Sequence, residues 1–144
     1  RTKNSNSKRG IMLYFAYGSN LHHEQMKKRC SGCKYLKKYI LQDYRLTFRS
    51  HLCVADIEYK KGSSVQGALF EITAKDESCL DKYEDYPTLY KKIFFKYEGR
   101  DVMAYSMEKK TPFKYPSTRY LNIIKQGYKD CDLDSKFLVE ALKG

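Results

Sequence analysis

The chain has 144 residues and a formal net charge of +11, and 42% of its residues are apolar. This length and apolar content predict one folded domain with a single hydrophobic core and exclude an intrinsically disordered chain. We see no apolar run long enough to cross a bilayer and no secretory signal, so we expect no membrane association. The five cysteines are an odd number, which favours free thiols in a reducing compartment, and we expect a cytoplasmic protein.

Positive charge is concentrated at the start of the sequence. Residues 1–10 contain four basic side chains and no acidic one. We predict a flexible basic tail over residues 1–10 and a folded domain over residues 11–144. Within the domain the lysines form scattered pairs rather than one stripe, which is typical of a solvated face. We therefore expect no nucleic-acid binding.

A strand followed by a short helix opens the predicted domain. The aromatic and apolar run of residues 11–17 predicts a buried strand. Gly18 and Ser19 end it, and Asn20 is placed to cap a helix that runs to about Arg29. Backbone N–H groups point outward at such a junction, so it is a candidate anion site, although most junctions of this kind are ordinary turns.

Strand patterns dominate the middle of the chain. Residues 35–48 predict two strands with a turn at residues 42–43. Residues 55–59 and 65–72 predict two more strands, separated by a glycine-containing turn at residues 61–63. These four segments favour paired, largely antiparallel strands.

A helix and a hairpin follow. The capping-box pattern of residues 73–76 predicts a helix that begins at about Ala74 and ends near Tyr86, ahead of a proline. Residues 90–97 and 102–107 predict a hairpin with the residues between them as its turn.

Two helices complete the chain. Ser117 is placed to cap the first, which we expect to end before Gly127, and Asp134 to cap the second. Strands outnumber helices, and the helices lie between or after the hairpins. This pattern predicts an α+β fold with a curved antiparallel or mixed sheet partly wrapped by helices, and it argues against a doubly wound parallel sheet.

An acidic cluster lies at the end of the predicted central helix. On a helical wheel, Glu84 lies about 40° from Leu80, whereas Asp81 and Asp85 lie about 100° and 140° away, nearer to solvent. Glu84 is therefore the carboxylate predicted to face apolar surroundings, where desolvation raises its pKa toward the range useful for proton transfer. An amphipathic helix with a charged edge would give the same pattern.

Four potential zinc ligands occur in the first half of the chain. Cys30 and Cys33 form a CxxC pair, and His51 and Cys53 follow with an unusual H-x-C spacing. Partly buried free thiols explain the same residues, and we expect no metal or other cofactor.

Several of these segments occur in the order found in one family. Residues 14–21, YFAYGSNL, resemble the N-terminal signature of the γ-glutamylcyclotransferases, including the AIG2-like proteins. Residues 80–87, LDKYEDYP, resemble the segment that holds the family's catalytic glutamate, and Glu84 falls at that position. Further segments that resemble the family are residues 26–30, 43–48, 62–67 and 116–120, the last being similar to the closing helix of members in glutathione metabolism.

The resemblance implies both a fold and an activity. The implied fold is a small mixed or antiparallel β-barrel with flanking helices. The implied reaction is intramolecular cyclisation of γ-glutamyl amino acids or peptides, which releases 5-oxoproline and the free amine or amino acid, with Glu84 as the acid/base residue. The substrate-binding residues that the resemblance implies are Tyr17, Gly18, Ser19, Asn20, Leu21 and Tyr120.

Two other functions stay open from the sequence. A relative could act on γ-glutamyl amines, such as the γ-glutamyl-ε-lysine left by protein crosslinks, or the fold could serve as a non-catalytic binding module. We expect a small-molecule γ-glutamyl ligand and a monomer or homodimer.

Overall fold

The computed structural model describes residues 11–144, so the predicted tail at residues 1–10 lies outside the described residues. Five strands and four helices form within this range. In chain order they are β1 (Met12–Ala16), α1 (His23–Arg29), β2 (Lys34–Arg49), β3 (Val54–Ile72), α2 (Ala74–Tyr83), β4 (Tyr90–Tyr97), β5 (Arg100–Met107), α3 (Thr118–Asp130) and α4 (Lys136–Ala141).

The strands form one mixed sheet in the order β2-β3-β1-β5-β4. The pairing of β1 with β5 is parallel, and the other three pairings are antiparallel. Strand β1 is central, and Leu13, Phe15 and Ala16 have no exposed surface, because both faces of a central strand are covered. The α+β prediction is confirmed.

The sheet does not close into a barrel, so that part of the implied fold is wrong. Strands β2 and β4 remain its two edges in the part of the chain described. The sheet curls enough for Tyr39 of β2 to stack on Phe95 of β4, with ring centroids 5.8 Å apart, and to meet the edge of Tyr97 at 5.6 Å. Aromatic side chains thus fill the gap where a barrel would need strands paired at about 4.8 Å.

The two turns predicted inside β2 and β3 are wrong. Strand β2 passes through Asp43 at a φ of 66°, and β3 passes through Gly62 at a φ of 89°. The Asp43 carboxylate accepts the Gly62 N–H at 2.9 Å, and the ladder resumes on both sides of this irregularity. The turn-forming residues therefore make a bulge inside a long antiparallel pair, because pairing continues beyond it.

The predicted start of α2 is confirmed, but its end is not. Thr73 and Asp76 form a complete capping box, and the helix ends at Tyr83 rather than near residue 86. Helix α1 is capped by the His22 side chain, which accepts the Gln25 N–H at 3.2 Å, so the prediction of Asn20 as the cap is wrong. A 3-10 turn over Ser19–Leu21 separates β1 from α1.

The ends of later elements also differ from expectation. Helix α3 continues through Gly127 to Asp130, because this glycine packs directly against the 3-10 turn and does not end the helix. Strand β5 begins at Arg100, since Glu98 and Gly99 alone form the hairpin turn, with φ values of 48° and 80°. Ser135 rather than the predicted Asp134 is the N-cap residue of α4, although the Asp134 carboxylate accepts the Lys136 N–H at 2.9 Å. Within residues 11–144, no helix is both long and apolar enough to span a bilayer.

Candidate active site

A cavity of about 190 Å³ lies beside the turn that follows β1. Strand β1, the 3-10 turn, the start of β3, the end of α2 and the first turn of α3 converge on it. The residues that line it are Tyr14, Tyr17, Gly18, Ser19, Asn20, Leu52, Val54, Ala55, Tyr83, Glu84, Leu89, Tyr90 and Tyr120.

Glu84 is the one carboxylate among the described residues that line this cavity. It caps α2, where its N–H donates to the Leu80 carbonyl at 2.8 Å, and its side chain is half-buried. Burial raises the pKa of Glu84 to about 7, against the lowering effects of the nearby Arg29 charge and a hydrogen bond from Asn20. A carboxyl group with a pKa near neutrality can both accept and return a proton, so Glu84 suits general acid–base chemistry.

The Asn20 amide is the polar group that contacts Glu84. Its nitrogen donates to Glu84 Oε2 at 3.2 Å and to the Tyr14 hydroxyl at 2.8 Å. Its oxygen accepts from Arg29. Asn20 is almost fully buried, so these contacts satisfy an amide that water does not reach.

Buried tyrosines form much of the cavity wall. The Tyr17 hydroxyl donates to the Tyr105 carbonyl at 2.7 Å, and the Tyr90 hydroxyl donates to the Ala55 carbonyl at 2.5 Å. The Tyr120 hydroxyl instead accepts the Ala55 N–H at 3.0 Å, which leaves its own proton available for a ligand. Burial raises the pKa of four cavity phenols, so these side chains stay neutral donors and acceptors near neutral pH; they are Tyr14, Tyr17, Tyr90 and Tyr120.

The 3-10 turn supplies backbone donors at the cavity. The N–H groups of Ser19 and Asn20 have no hydrogen-bond partner among residues 11–144. The Leu21 N–H, in contrast, donates to the Gly18 carbonyl at 3.0 Å. Two of the turn's N–H groups are therefore available to an anionic or carbonyl oxygen, and the third is not.

The structure brings together all but one of the residues that the sequence singled out. Glu84, Tyr17, Gly18, Ser19, Asn20 and Tyr120 line one cavity. Leu21 does not line it. This side chain is fully buried and packs beside Gly127, where an added Cβ would lie 2.6 Å from the Leu21 Cβ.

The two aspartates near Glu84 occupy different environments. Asp85 is exposed, as the wheel predicted. For Asp81 the wheel was wrong, because its carboxylate accepts the Tyr105 hydroxyl at 2.6 Å and pairs with Lys92 at 3.0 Å. Strands β4 and β5 pack against that side of the helix, and a wheel drawn for one helix does not include them.

Sequence analysis missed several residues that line or support the cavity. Tyr14 and Arg29 lie inside segments that carried the family resemblance, so a signal was present for both. Tyr83 also lies inside such a segment, residues 80–87, whereas Tyr90 lines the cavity without any distinguishing pattern, since tyrosine is common throughout this chain.

The four potential zinc ligands do not form a site. Cys30 is buried beside α2, where its thiol donates to the Asp76 carbonyl at 3.7 Å, and burial raises the pKa of this thiol to about 12. Cys53 lies in the turn between β2 and β3. No group of three or more histidine, cysteine or acidic side chains within residues 11–144 is arranged to hold a metal ion.

Fold, cavity and sequence together define the class of protein. A family model described as γ-glutamyl cyclotransferase, AIG2-like, matches residues 14–127. The chain belongs to this family, and the relationship supports a cyclotransferase activity.

Individual relatives agree with this assignment. The γ-glutamylcyclotransferase of Bos taurus is 29% identical over 87% of this chain and 74% of its own length, and that of Mus musculus is 28% identical over the same shares. Among solved structures, a γ-glutamyl cyclotransferase is 27% identical with a TM-score of 0.75, over 93% of this chain and 87% of its own. An uncharacterised protein from Homo sapiens is 28% identical with a TM-score of 0.76, over 94% and 88%.

Proposed function

We propose that this protein cyclises γ-glutamyl amino acids or peptides, releasing 5-oxoproline and the free amino acid or amine, with Glu84 as the general acid and base. One observation carries the proposal: Glu84, whose pKa is raised to about 7, lies in a small cavity beside a turn with unpaired backbone N–H groups. That combination suits a reaction in which one proton must be taken up and then returned.

The chemistry requires little beyond positioning and proton transfer. The α-amino group of the substrate attacks its own γ-carbonyl carbon, a five-membered ring closes, and the bond to the leaving nitrogen breaks. Because both reacting groups belong to one molecule, holding a folded conformer accounts for much of the acceleration. Glu84 accepts a proton from the attacking amine and delivers it to the departing nitrogen, and the carboxyl group ends in its starting state.

The 3-10 turn and Tyr120 complete the proposed site. The free N–H groups of Ser19 and Asn20 are suited to an oxygen of the substrate, either its α-carboxylate or the oxyanion that develops on the γ-carbonyl. The Tyr120 hydroxyl retains a proton that it can donate to the same molecule. We propose that these polar groups orient the γ-glutamyl moiety of the substrate.

A neighbouring cavity supports amino acids over simple amines as the leaving group. This second cavity, of about 160 Å³, shares Leu89 with the first and is lined by Lys109 and His51 among others. In the described part of the chain, neither Lys109 nor His51 has an acidic partner within 4 Å. An unpaired lysine there favours a leaving group that carries a carboxylate.

A matched substrate pair tests both the proposed cyclisation and the preference for a leaving group that carries a carboxylate. γ-Glutamylalanine and γ-glutamylethylamide differ only by the leaving group's carboxylate, and 5-oxoproline from each is measured by mass spectrometry. We expect wild type to produce it and Glu84→Gln not to. Lys109→Glu should lower kcat/KM for the alanine compound by about 2- to 5-fold relative to the ethylamide, the size of one exposed ion pair. Absence of 5-oxoproline from both compounds would contradict the proposed reaction.

A further inference from the structure

Asn20 can make its contact with Glu84 in only one of the two orientations of its amide. The amide nitrogen faces Glu84 and the Tyr14 hydroxyl, and the amide oxygen faces Arg29. A 180° flip would place the amide oxygen against the carboxylate and the amide nitrogen against the guanidinium. Both new contacts would be repulsive, since an amide oxygen has no proton to donate and a guanidinium accepts none.

Arg29 is the group that selects this orientation. Its Nη1 donates to Asn20 Oδ1 at 2.5 Å, a hydrogen bond from a charged donor. Among the described residues Arg29 makes no ion pair with Glu84 within 4 Å, so its hydrogen bonds reach the carboxylate through the amide, while its charge acts on the carboxylate across space. The absence of a direct ion pair matters because an arginine in contact with the carboxylate would hold the glutamate ionised and lower its basicity.

The guanidinium is itself held in place from two sides. Its Nη2 donates to Gln25 Oε1, one helical turn earlier, at 2.6 Å. Its central carbon lies 3.6 Å from the centroid of the Tyr83 ring, and the Tyr83 hydroxyl lies 3.2 Å from Ser19 Oγ. Arg29 thus joins the end of α1 to the residue that precedes Glu84, in a planar stack that lysine cannot reproduce.

We propose that Arg29 is a positioning residue for the cyclisation: it fixes the Asn20 amide so that the amide nitrogen donates to Glu84 and holds the carboxylate toward the cavity. This inference rests on the proposed function. Nothing in it requires Arg29 to touch the substrate.

The electrostatic surroundings of Glu84 make this role measurable. Within residues 11–144, Arg29 is the cation whose charge lowers the pKa of Glu84 against the effect of burial. Phenols whose pKa is raised also surround Glu84, namely Tyr14, Tyr17, Tyr90, Tyr105 and Tyr120, so they stay neutral across the range of interest. Loss of the Arg29 charge should therefore move the Glu84 pKa upward from about 7.

Two variants separate positioning from general stability. Arg29→Met keeps the apolar stem and removes the donors and the charge, and Arg29→Lys keeps the charge without the planar fork. We expect Arg29→Met to lower kcat by about 10- to 100-fold, the cost of a misplaced reacting group, and to shift the midpoint of the pH profile upward. Arg29→Lys should have the wild-type midpoint of the pH profile but only part of the wild-type kcat. Lys28→Met, at an exposed neighbouring position on the same helix, is the matched control and should change neither.

A measurement without turnover completes the test. The carboxyl carbon of Glu84, assigned by its absence in Glu84→Gln, is titrated by NMR in wild type and in Arg29→Met, and a higher pKa in the variant supports the inference. An unchanged Glu84 pKa together with an unchanged kcat in folded Arg29→Met would overturn it while leaving the cyclisation intact. A wild type that forms no 5-oxoproline would overturn the proposed function, and the role of Arg29 in it.

Discussion

At the scale of single residues, the chemistry depends on how one carboxyl group is desolvated. Glu84 lies at the end of α2 with the Asn20 amide as its polar contact, and burial outweighs the nearby positive charge in setting its pKa. Asp85 is the next residue and is exposed. Two adjacent acidic side chains thus have different properties because only one of them faces the cavity.

Replacement of Glu84 by glutamine should remove most of the activity. Glutamine keeps the shape and can still accept the Asn20 N–H, but it cannot take a proton from an amine. General acid–base catalysis contributes about 10²- to 10⁴-fold, and we expect a loss in kcat at the upper end, because one group serves both transfers. Steady-state formation of 5-oxoproline measures it.

Asp85→Asn is the matched control for this substitution. Asp85 has a φ of 54°, which asparagine tolerates, so the variant should fold and retain nearly full kcat. Asp81→Asn should fall between the two, since it loses acceptors for Tyr105 and Lys92. More than about a tenth of wild-type kcat in Glu84→Gln would mean that another group carries the proton.

The raised pKa also predicts the pH dependence of the reaction. Glu84 must be ionised to accept the amine proton. The titration of Glu84 should therefore make log kcat/KM rise with pH up to about 7 and then level off. A pH series in constant ionic strength with γ-glutamylalanine checks this. A midpoint near 4.5, the ordinary value for a glutamate, would show that Glu84 is not desolvated in solution.

At the scale of elements, the contact with α3 holds the 3-10 turn, with its free backbone N–H groups, in place. Gly127 lies inside α3, and a Cβ at this position would come within 2.7 Å of the His22 nitrogen and 2.6 Å of the Leu21 Cβ. Backbone cannot move aside as the end of a flexible side chain can. The helix and the turn therefore approach each other as closely as they do because residue 127 has no side chain.

Gly127→Ala should therefore disturb both stability and the site. Overpacking a tight contact costs about 1–3 kcal/mol, which here outweighs the helix propensity that alanine gains over glycine. We expect a lower midpoint of urea unfolding and a raised KM, because the turn that supplies the Ser19 and Asn20 N–H groups is displaced. Lys125→Ala, at an exposed position on the same helix, should leave both unchanged. A Gly127→Ala variant at least as stable as wild type would contradict this account of the contact.

At the scale of the whole molecule, the partly desolvated carboxyl group of Glu84 makes stability depend on pH. The Glu84 pKa is raised from 4.5 to about 7 in the folded state, so between these values the native protein holds a proton that the unfolded chain has lost. Stability from this group is then present below about pH 4.5 and decreases as the pH rises to about 7.

Glu84→Gln should remove this dependence. A shift of this size corresponds to on the order of 3 kcal/mol, so the variant should exceed wild type in the free energy of unfolding at pH 8 and resemble it at about pH 4. Urea unfolding at the two pH values measures the difference. Equal stabilities at pH 8 would indicate that water reaches the carboxylate. Desolvation of the residue that we propose for catalysis thus lowers the stability of the fold at neutral pH.

The sequence by itself determined the fold class, the family and six of the residues that line the cavity. Strand and helix patterns are local, and the capping box of Thr73 and Asp76 formed where those patterns indicated. The YGSN turn and Glu84 were recognisable because each belongs to a short contiguous motif. Local signals of this kind survive folding when no neighbouring element opposes them.

Tertiary structure decided what depends on distant contacts. The turn residues at Asp43 and Gly62 became a bulge because the β2–β3 ladder continues beyond them. The barrel stayed open because aromatic rings occupy the gap between β2 and β4. The Asn20 side chain contacts a glutamate 64 residues away and does not cap α1 as predicted. Arg29, at the end of α1, donates a hydrogen bond to the same amide. Such contacts join residues far apart in sequence, and only the packed chain brings their atoms within hydrogen-bond distance.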